Sequence, residues 1–485
     1  LIGNDAGYTT ELANPAAVAT ASALQMIRFF RHYIPLSLAL LTGAELVLFF
    51  LIAQYTGIQY GHPGAYGSPE SAYKPWLFAM LLSLLNSMFG LYDWEWTTGL
   101  KSLLIRVLGS LLASTAIIAA GGVFLPKLFP KGAELAVSMA LVGFSAILIR
   151  LLFMEWGKTS LFKKRVLVVG AGSRAAKIEQ LIHGGESQGI EVVGYLPLGT
   201  THSYVPHARL IHSEDRLYDI AMDLGATTLI VAIRERRGGG LPIDELLECK
   251  LRGMEILDLP AFFEQQTGIL PLESTNASWM IFSEGFSQGW SRDLVKRVFD
   301  LLVSGTFLLL LFPLMLLTAL LIKLESRGPV LYTQERVGQF GQTFTIYKFR
   351  SMRTDAEKEG TPLWARKNDD RTTRVGRFIR RTRIDELPQV INVFFGHMSF
   401  VGPRPERPYF VKELAEQIPY YHARHSVKPG ITGWAQVKFP YGASVEDAMH
   451  KLQYDLYYVK NHSLFLDLMI LLQTAQVVVL GKGVR

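Results

Sequence analysis

Between residues 34 and 154 the chain carries four apolar segments, at 34–53, 76–91, 107–125 and 135–154, joined by short connections. Stretches near 20 residues match a bilayer core about 30 Å thick. A soluble core would have to surround four such segments within 120 residues, so the pattern predicts a transmembrane helical bundle. Glu45 inside the first segment is one costly exception, and the fourth carries Arg150 near its end. With 49% hydrophobic and only 19% charged residues, the composition excludes both a disordered chain and an ordinary soluble enzyme. Residues 1–25 are polar and rich in Ala and Thr, without the basic flank and apolar core of a signal peptide. They are expected to form a disordered tail, with Met26 as an alternative start.

Basic residues set the orientation. Arg28 and Arg31 precede the first segment, Lys101 and Arg106 follow the second, and Lys158, Lys163, Lys164 and Arg165 follow the fourth. By the positive-inside bias both ends of the bundle face the cytoplasm. Beyond it the composition becomes soluble. Arg165-Val-Leu-Val-Val-Gly170 reads as a buried parallel strand, and Gly170-Ala-Gly172-Ser-Arg-Ala175 opens a helix. Further strands are expected at 190–196, 228–232 and 254–257, which makes a Rossmann-like unit. The Gly170 and Gly172 turn suits a nucleotide pyrophosphate at a helix N-terminus, but with no acidic residue placed at the end of a second strand to hold a ribose, a structural or regulatory unit is the favoured reading.

A fifth apolar stretch, 301–322, has no charge over 22 residues and is flanked by Lys296 and Arg297 on one side and by Lys323 and Arg327 on the other. By length it spans. Yet one more crossing would carry residues 325–485 outside the cell, against the bias that places both basic clusters inside. Pro313 removes one helix hydrogen bond near the middle. A re-entrant helix that enters one leaflet and returns, broken at Pro313, satisfies charge and parity together; a kinked ordinary span is the alternative. The apolar stretch 464–480, with Asp467, reads equally as an interfacial or a core helix.

The region that follows is dense in polar groups. Lys348 to Arg383 holds twelve basic and five acidic residues, so this one stretch matches the chain's whole net charge of +7. Arginines beside carboxylates suit phosphoryl transfer on a magnesium-bound diphosphate, and a carboxylate can itself attack phosphorus. Residues 371–383 suit anionic lipid headgroups as well. The single cysteine, Cys249, excludes intrachain disulfides and multi-thiolate metal sites.

Lys296-Arg-Val-Phe-Asp300, Gly328-Pro-Val-Leu-Tyr-Thr-Gln334, Tyr347-Lys-Phe-Arg-Ser-Met352, Asp385-Glu-Leu-Pro-Gln389, Ser399-Phe-Val-Gly-Pro-Arg-Pro405 and Pro429-Gly-Ile-Thr-Gly-Trp-Ala-Gln436 stand in order along 292–485. Together they resemble the bacterial sugar transferase family, monotopic polyprenyl-phosphate phosphoglycosyl transferases, and the whole chain is similar to its large exopolysaccharide-biosynthesis members. With the resemblance, the expected parts are a tail (1–25), a transmembrane α-helical bundle (26–157), an α/β Rossmann-like domain (158–290) and, implied by the resemblance, a mixed α/β phosphoglycosyl transferase domain with a re-entrant membrane helix (291–485). The resemblance also implies transfer of a sugar-1-phosphate from a UDP-sugar to undecaprenyl phosphate with release of UMP, using Mg2+. Carried over by motif, Asp355 is the nucleophile and Glu357 its partner, both near the metal; Ala356 separates them where smaller members have them adjacent. Lys348, Arg350, Arg383, Asp385, Glu386 and Arg404 become substrate-binding residues. The partners implied are both substrates, membrane lipids, a second copy of the chain and downstream glycosyltransferases, at the cytoplasmic face of a bacterial inner membrane; nucleic acid is not needed to explain the charge. A membrane-anchored dehydratase or epimerase is disfavoured, because no tyrosine has a lysine four residues later. A scaffold with a decayed transferase domain would not need to keep these ionisable residues.

Overall fold

A computed structural model describes residues 26–29, 32–60, 72–92, 99–156, 163–183, 189–198, 203–233, 241–273, 275, 277–286, 289–353, 371–439, 442 and 444–479. Strands β1 (Met26–Phe29) and β2 (His32–Pro35) lead into the bundle helices α1 (Leu36–Tyr60), α2 (Lys74–Met88), α3 (Leu100–Phe124) and α4 (Gly132–Trp156). All four expected apolar segments are helical. Helices α1 and α3, and α4 over Gly132–Phe153, are long and apolar enough to cross a membrane. Helix α2 has only 15 residues, about 22 Å at 1.5 Å per residue, which falls short of a full bilayer core.

The bundle hides its polar groups inside. Glu45 and Arg150 form a fully buried ion pair. Tyr92 Oη donates to Glu45 at 2.8 Å, and the Arg150 guanidinium also donates to the carbonyls of Ala146 and Leu91. Ser110 donates to Asn86 at 2.6 Å, and the hydroxyls of Thr56 and Ser138 meet at 2.8 Å. Two residues expensive in lipid when alone are therefore each other's partners.

The chain divides into two compact units, one dominated by Leu151–Gly268, the other by Thr42–Arg150 together with Ile269–Arg485. In the first, β3 (Lys164–Val169), β4 (Ile190–Leu196), β5 (Thr228–Val231) and β6 (Glu255–Asp258) make a parallel sheet ordered β4-β3-β5-β6. The connecting helices are α5 (Ser173–His183), α6 (Leu217–Asp223), α7 (Ile243–Leu251) and α8 (Leu259–Thr267). Val166 and Val168 face one buried cluster and Leu167 and Val169 another, as period-two alternation requires of a sheet covered on both faces. The second compact unit resumes at Ile269. After Gly268, Leu270 donates its amide to Gln453 and is fully buried in the core of the second unit.

That unit continues with α9 (Ala277–Phe282) and α10 (Trp290–Glu325), followed by the hairpin β7 (Leu331–Val337) with β8 (Thr343–Phe349). Next come α11 (Arg374–Arg381), α12 (Gln389–Phe395), β9 (Ser399–Val401), α13 (Pro408–Gln417), β10 (Gly430–Thr432), α14 (Trp434–Lys438), α15 (Val445–Asn461) and α16 (Leu464–Val479). Its core joins Val393, Val401, Trp434, Leu456, Tyr457 and Tyr458. Helix α16 takes the core alternative, since Leu466 and Ile470 are fully buried, and it also packs against α2. Helix α10 runs through Pro313 as one helix of 36 residues, without the expected break. A single missing hydrogen bond is tolerated in an apolar helix.

Candidate active site

The alternation Thr343-Phe-Thr-Ile-Tyr-Lys-Phe349 makes β8 a strand, with Ile346 and Phe349 buried and Lys348 paired opposite Tyr332 of β7. Lys348 Nζ reaches Glu386 Oε1 at 2.8 Å, and Arg404 Nη2 reaches the same oxygen at 3.1 Å. Three segments far apart in sequence thus converge on one carboxylate. Glu386 ends a 3-10 turn, Ile384–Glu386, entered through Arg383 at φ 59. A left-handed arginine is strained by roughly 1–3 kcal/mol, and it aims Asp385 and Glu386 from a tight corner.

Arg404 is held by its backbone. β9 and β10 pair in parallel, Ser399 beside Gly430 and Val401 beside Thr432. Three glycines allow this contact: a Cβ on Gly402 would meet the Lys428 carbonyl, one on Gly430 would meet the Gly402 amide, and one on Gly433 the Gly402 carbonyl. The Arg404 carbonyl accepts from Arg424 at 3.0 Å, and Arg424 is itself buried against Asp455 at 2.8 Å and Tyr421. The next carbonyl, of Pro405, accepts from Arg336 at 2.9 Å.

The two adjacent acids are driven apart. Burial disfavours the charge of Glu386, but Arg404 and Lys348 outweigh it and hold this carboxyl well below the usual range. Asp385 is pushed up to about 6 by burial, reinforced by the charge of Glu386. Lys348 is pushed down by burial while Glu386 pulls it back. An acid pair of unequal proton affinity among arginines is an arrangement active sites use.

Arg350 has a different setting from the phosphate contact expected of it. It is buried, and its two terminal nitrogens donate to the carbonyls of Arg327 and Ser326 and to Ser326 Oγ, all near 3 Å. It therefore ties β8 to the end of α10. Asp355 and Glu357 lie outside the described residues. The chain on both sides of them is pinned: Arg353 donates its amide to the Arg371 carbonyl at 3.0 Å, Thr373 donates to Ser351 at 3.1 Å, and Met352 bridges Thr372. The carboxylate of Glu325 accepts the amides of Arg374 and Val375 and so caps α11.

Three further polar residues, which the sequence marks only as part of a motif or an apolar stretch, support the site. Asp300 on α10 is buried and accepts from Ser399 Oγ at 3.1 Å and the Phe400 amide at 3.2 Å. Lys296 donates to Asp467 and to the Val401 carbonyl, and Tyr458 donates to Asp467 at 2.7 Å. The signal was present: Lys296 and Asp300 stand i, i+4 on one helix face, and Asp467 interrupts an apolar helix. In the first unit, Gly170 takes φ 114 at the end of β3 and Gly172 has open space around it, at the edge where strand order switches.

Residues 291–481 match the family model described as Bacterial sugar transferase. The chain is 39% identical over 293 residues, 60% of its length and 67% of the relative's, to the UDP-N-acetylgalactosamine-undecaprenyl-phosphate N-acetylgalactosaminephosphotransferase of Aeromonas hydrophila. It is 47% identical over 186 residues to an undecaprenyl-phosphate glucose phosphotransferase of Komagataeibacter xylinus, covering 37% of this chain and 35% of that one. It is 44% identical over 201 residues to an exopolysaccharide production protein of Rhizobium leguminosarum bv. phaseoli, covering 39% of this chain but 99% of that one. With its apolar helices and a catalytic segment shared with these transferases, the chain is a membrane protein that belongs to the bacterial sugar transferase family.

Proposed function

We propose that the chain transfers a sugar-1-phosphate from a UDP-sugar to undecaprenyl phosphate, as a first membrane step of exopolysaccharide, capsule or O-antigen synthesis. The observation that carries this reading is the convergence of Lys348, Arg404 and Glu386, from three separate motifs, beside the pinned ends of the segment containing Asp355. The Asp355 carboxylate attacks the sugar-bearing phosphorus; an acyl-phosphate bond forms, the pyrophosphate bond breaks, and UMP leaves with the bonding electrons. A phosphate oxygen of undecaprenyl phosphate then attacks the same phosphorus and releases Asp355. Arg404 and Lys348 offset charge on the diphosphate, Arg383 adds to that field, and Arg350 positions β8.

Magnesium asks little of the protein, one or two carboxylates beside substrate phosphate and water. Among the described residues no cluster of three or more acids, histidines or cysteines is arranged for a metal. Asp385 fits the smaller demand: its charge is disfavoured where it stands, and a cation would relieve it. With Asp355 and Glu357 it would hold the ion, which supplies charge neutralisation at the diphosphate.

The site belongs at the cytoplasmic face of the inner membrane, where a soluble donor meets a lipid acceptor. Helix α10 is read as the re-entrant element, bent at Pro313 within a helix that stays continuous. Both its halves touch the same domain: Lys296, Arg297 and Asp300 reach α16, α12 and β9, while Ile322 packs with Phe349 and Ile379. Thirty-six residues in a straight helix would extend about 54 Å and part those ends across a bilayer. The parallel unit is read as Rossmann-like, with a structural role or a nucleotide at Gly170 and Gly172. Asp355→Asn should abolish UMP release from a panel of UDP-sugars in membranes supplied with undecaprenyl phosphate and magnesium; release at the wild-type rate would remove Asp355 as nucleophile.

A further inference from the structure

Helix α11 has two unlike faces. Val375, Gly376 and Ile379 turn inward, Ile379 against Ile322 and Phe349, and Gly376 onto the Ser351 carbonyl, which leaves no room for a Cβ. The other face, at spacing i, i+3, i+4, i+7, presents Arg374, Arg377, Phe378 and Arg381, all exposed, with Phe378 at 60%. None of these three arginines forms a salt bridge among the described residues. Water suits the three cations, but not the phenyl ring exposed among them.

Their location supplies the partner. The exposed leucines of α10 include Leu316, Leu317, Leu320 and Leu324, and the last is 74% exposed. The next residue, Glu325, is the one whose carboxylate accepts the first amides of α11. The basic helix therefore begins where the apolar surface of α10 ends. If α10 lies in a bilayer, that point is its boundary with water.

We propose that the Arg374, Arg377, Phe378 and Arg381 face of α11 docks on the anionic headgroup layer of the membrane that holds α10. The arginines pair with lipid phosphates while Phe378 enters the acyl boundary, the division of labour of an interfacial helix. Each basic side chain near an anionic surface adds attraction. A soluble phosphate would satisfy the arginines but has no use for Phe378. The inference rests on the membrane placement of α10 and is independent of the transfer reaction.

The test uses the full chain in vesicles of phosphatidylcholine, with or without phosphatidylglycerol. An environment-sensitive fluorophore is attached at Thr382→Cys, exposed at the end of the same face; the native Cys249 is buried. With phosphatidylglycerol the emission should shift to the blue and be quenched by a spin-labelled headgroup lipid. Arg377→Gln with Arg381→Gln should weaken that quenching by about fivefold or more. Arg377→Lys with Arg381→Lys should retain it, which separates lost charge from lost folding, and Phe378→Ser should remove the blue shift. The proposal is overturned if the label reports water in both vesicle types, or if added inorganic phosphate displaces it as well as phosphatidylglycerol recruits it. Neither outcome touches UMP release, so failure here and failure of the transferase reading are distinguishable.

Discussion

Helices α1, α3 and α4 have mean hydropathies of 2.3, 2.0 and 2.2 over their most apolar windows, and α10 has 2.5, yet their surroundings differ. The bundle helices bury 28, 28 and 44% of those windows, and α10 only 11%. Bundle helices place their polar groups against each other, as Glu45 and Arg150 do. Helix α10 keeps its charged groups toward its two ends, where Asp300 accepts from β9 and the Ser326 and Arg327 carbonyls just beyond the helix accept from Arg350, while the hydroxyls of Ser304, Thr306 and Thr318 between them bond back to the helix's own carbonyls. Hydropathy thus decides that a helix leaves water. The few polar residues it carries decide which neighbours it keeps.

The largest effect should be topological. A cysteine replacing the exposed Gln342 should react with an impermeant maleimide only from the cytoplasmic side; labelling from outside would make α10 an ordinary span and erase the contrast. Next, Arg150→Leu leaves Glu45 buried without its partner, at a cost of about 3–5 kcal/mol, read as lost folded yield and lowered thermal stability in detergent. The double variant Glu45→Leu with Arg150→Leu should recover most of it. Failure to recover would mean that the pair does not hold the bundle together as described. For α10, Asp300→Ala removes the acceptor for Ser399 and Phe400 and should cost about 1–3 kcal/mol, with UMP release falling more than stability because β9 leads to Arg404. If the two fall in step, Asp300 serves folding alone.

The smallest effect is acid sensitivity of the transferase segment. Burial lowers His425 to about 3, His462 to about 4 and His32 to about 4, the last sitting against Trp434 and Tyr457. Unfolded histidines titrate near about 6.5, so the unfolded state binds more protons between that value and the folded ones. Stability is complete above the unfolded value and is lost as pH falls through this window. His425→Phe should flatten the melting temperature between neutral and mildly acidic pH; an unchanged slope would place the sensitivity elsewhere.

The parts visible in sequence were those with a periodic or local signal. The strand expected at 190–196 is β4, and the others differ by a residue at their ends, because alternating burial fixes a strand more firmly than its termini. Lys348, Glu386 and Arg404 could be named from their motifs and do meet. What could not be read were partnerships set by the tertiary fold. The carbonyls that receive Arg350 have no sequence signature, Arg424 and Asp455 pair across 31 positions, and the inequality of Asp385 and Glu386 depends on which of them two cations reach.

The Glu45–Arg150 pair also has a history in time. The two residues are 105 positions apart, so at 5–20 residues per second Arg150 leaves the ribosome about 5–20 s after Glu45. During that interval the Glu45 carboxylate lacks its cation, a charge unfavourable in lipid by roughly 2.5–3.5 kcal/mol on insertion scales, and has only the Tyr92 hydroxyl as an earlier partner. Of the four bundle helices, α1 precedes the others and receives its arginine only from the last of them. Nascent chains halted before Arg150 should hold α1 in the bilayer less firmly, read as easier alkaline extraction, than chains halted just after α4.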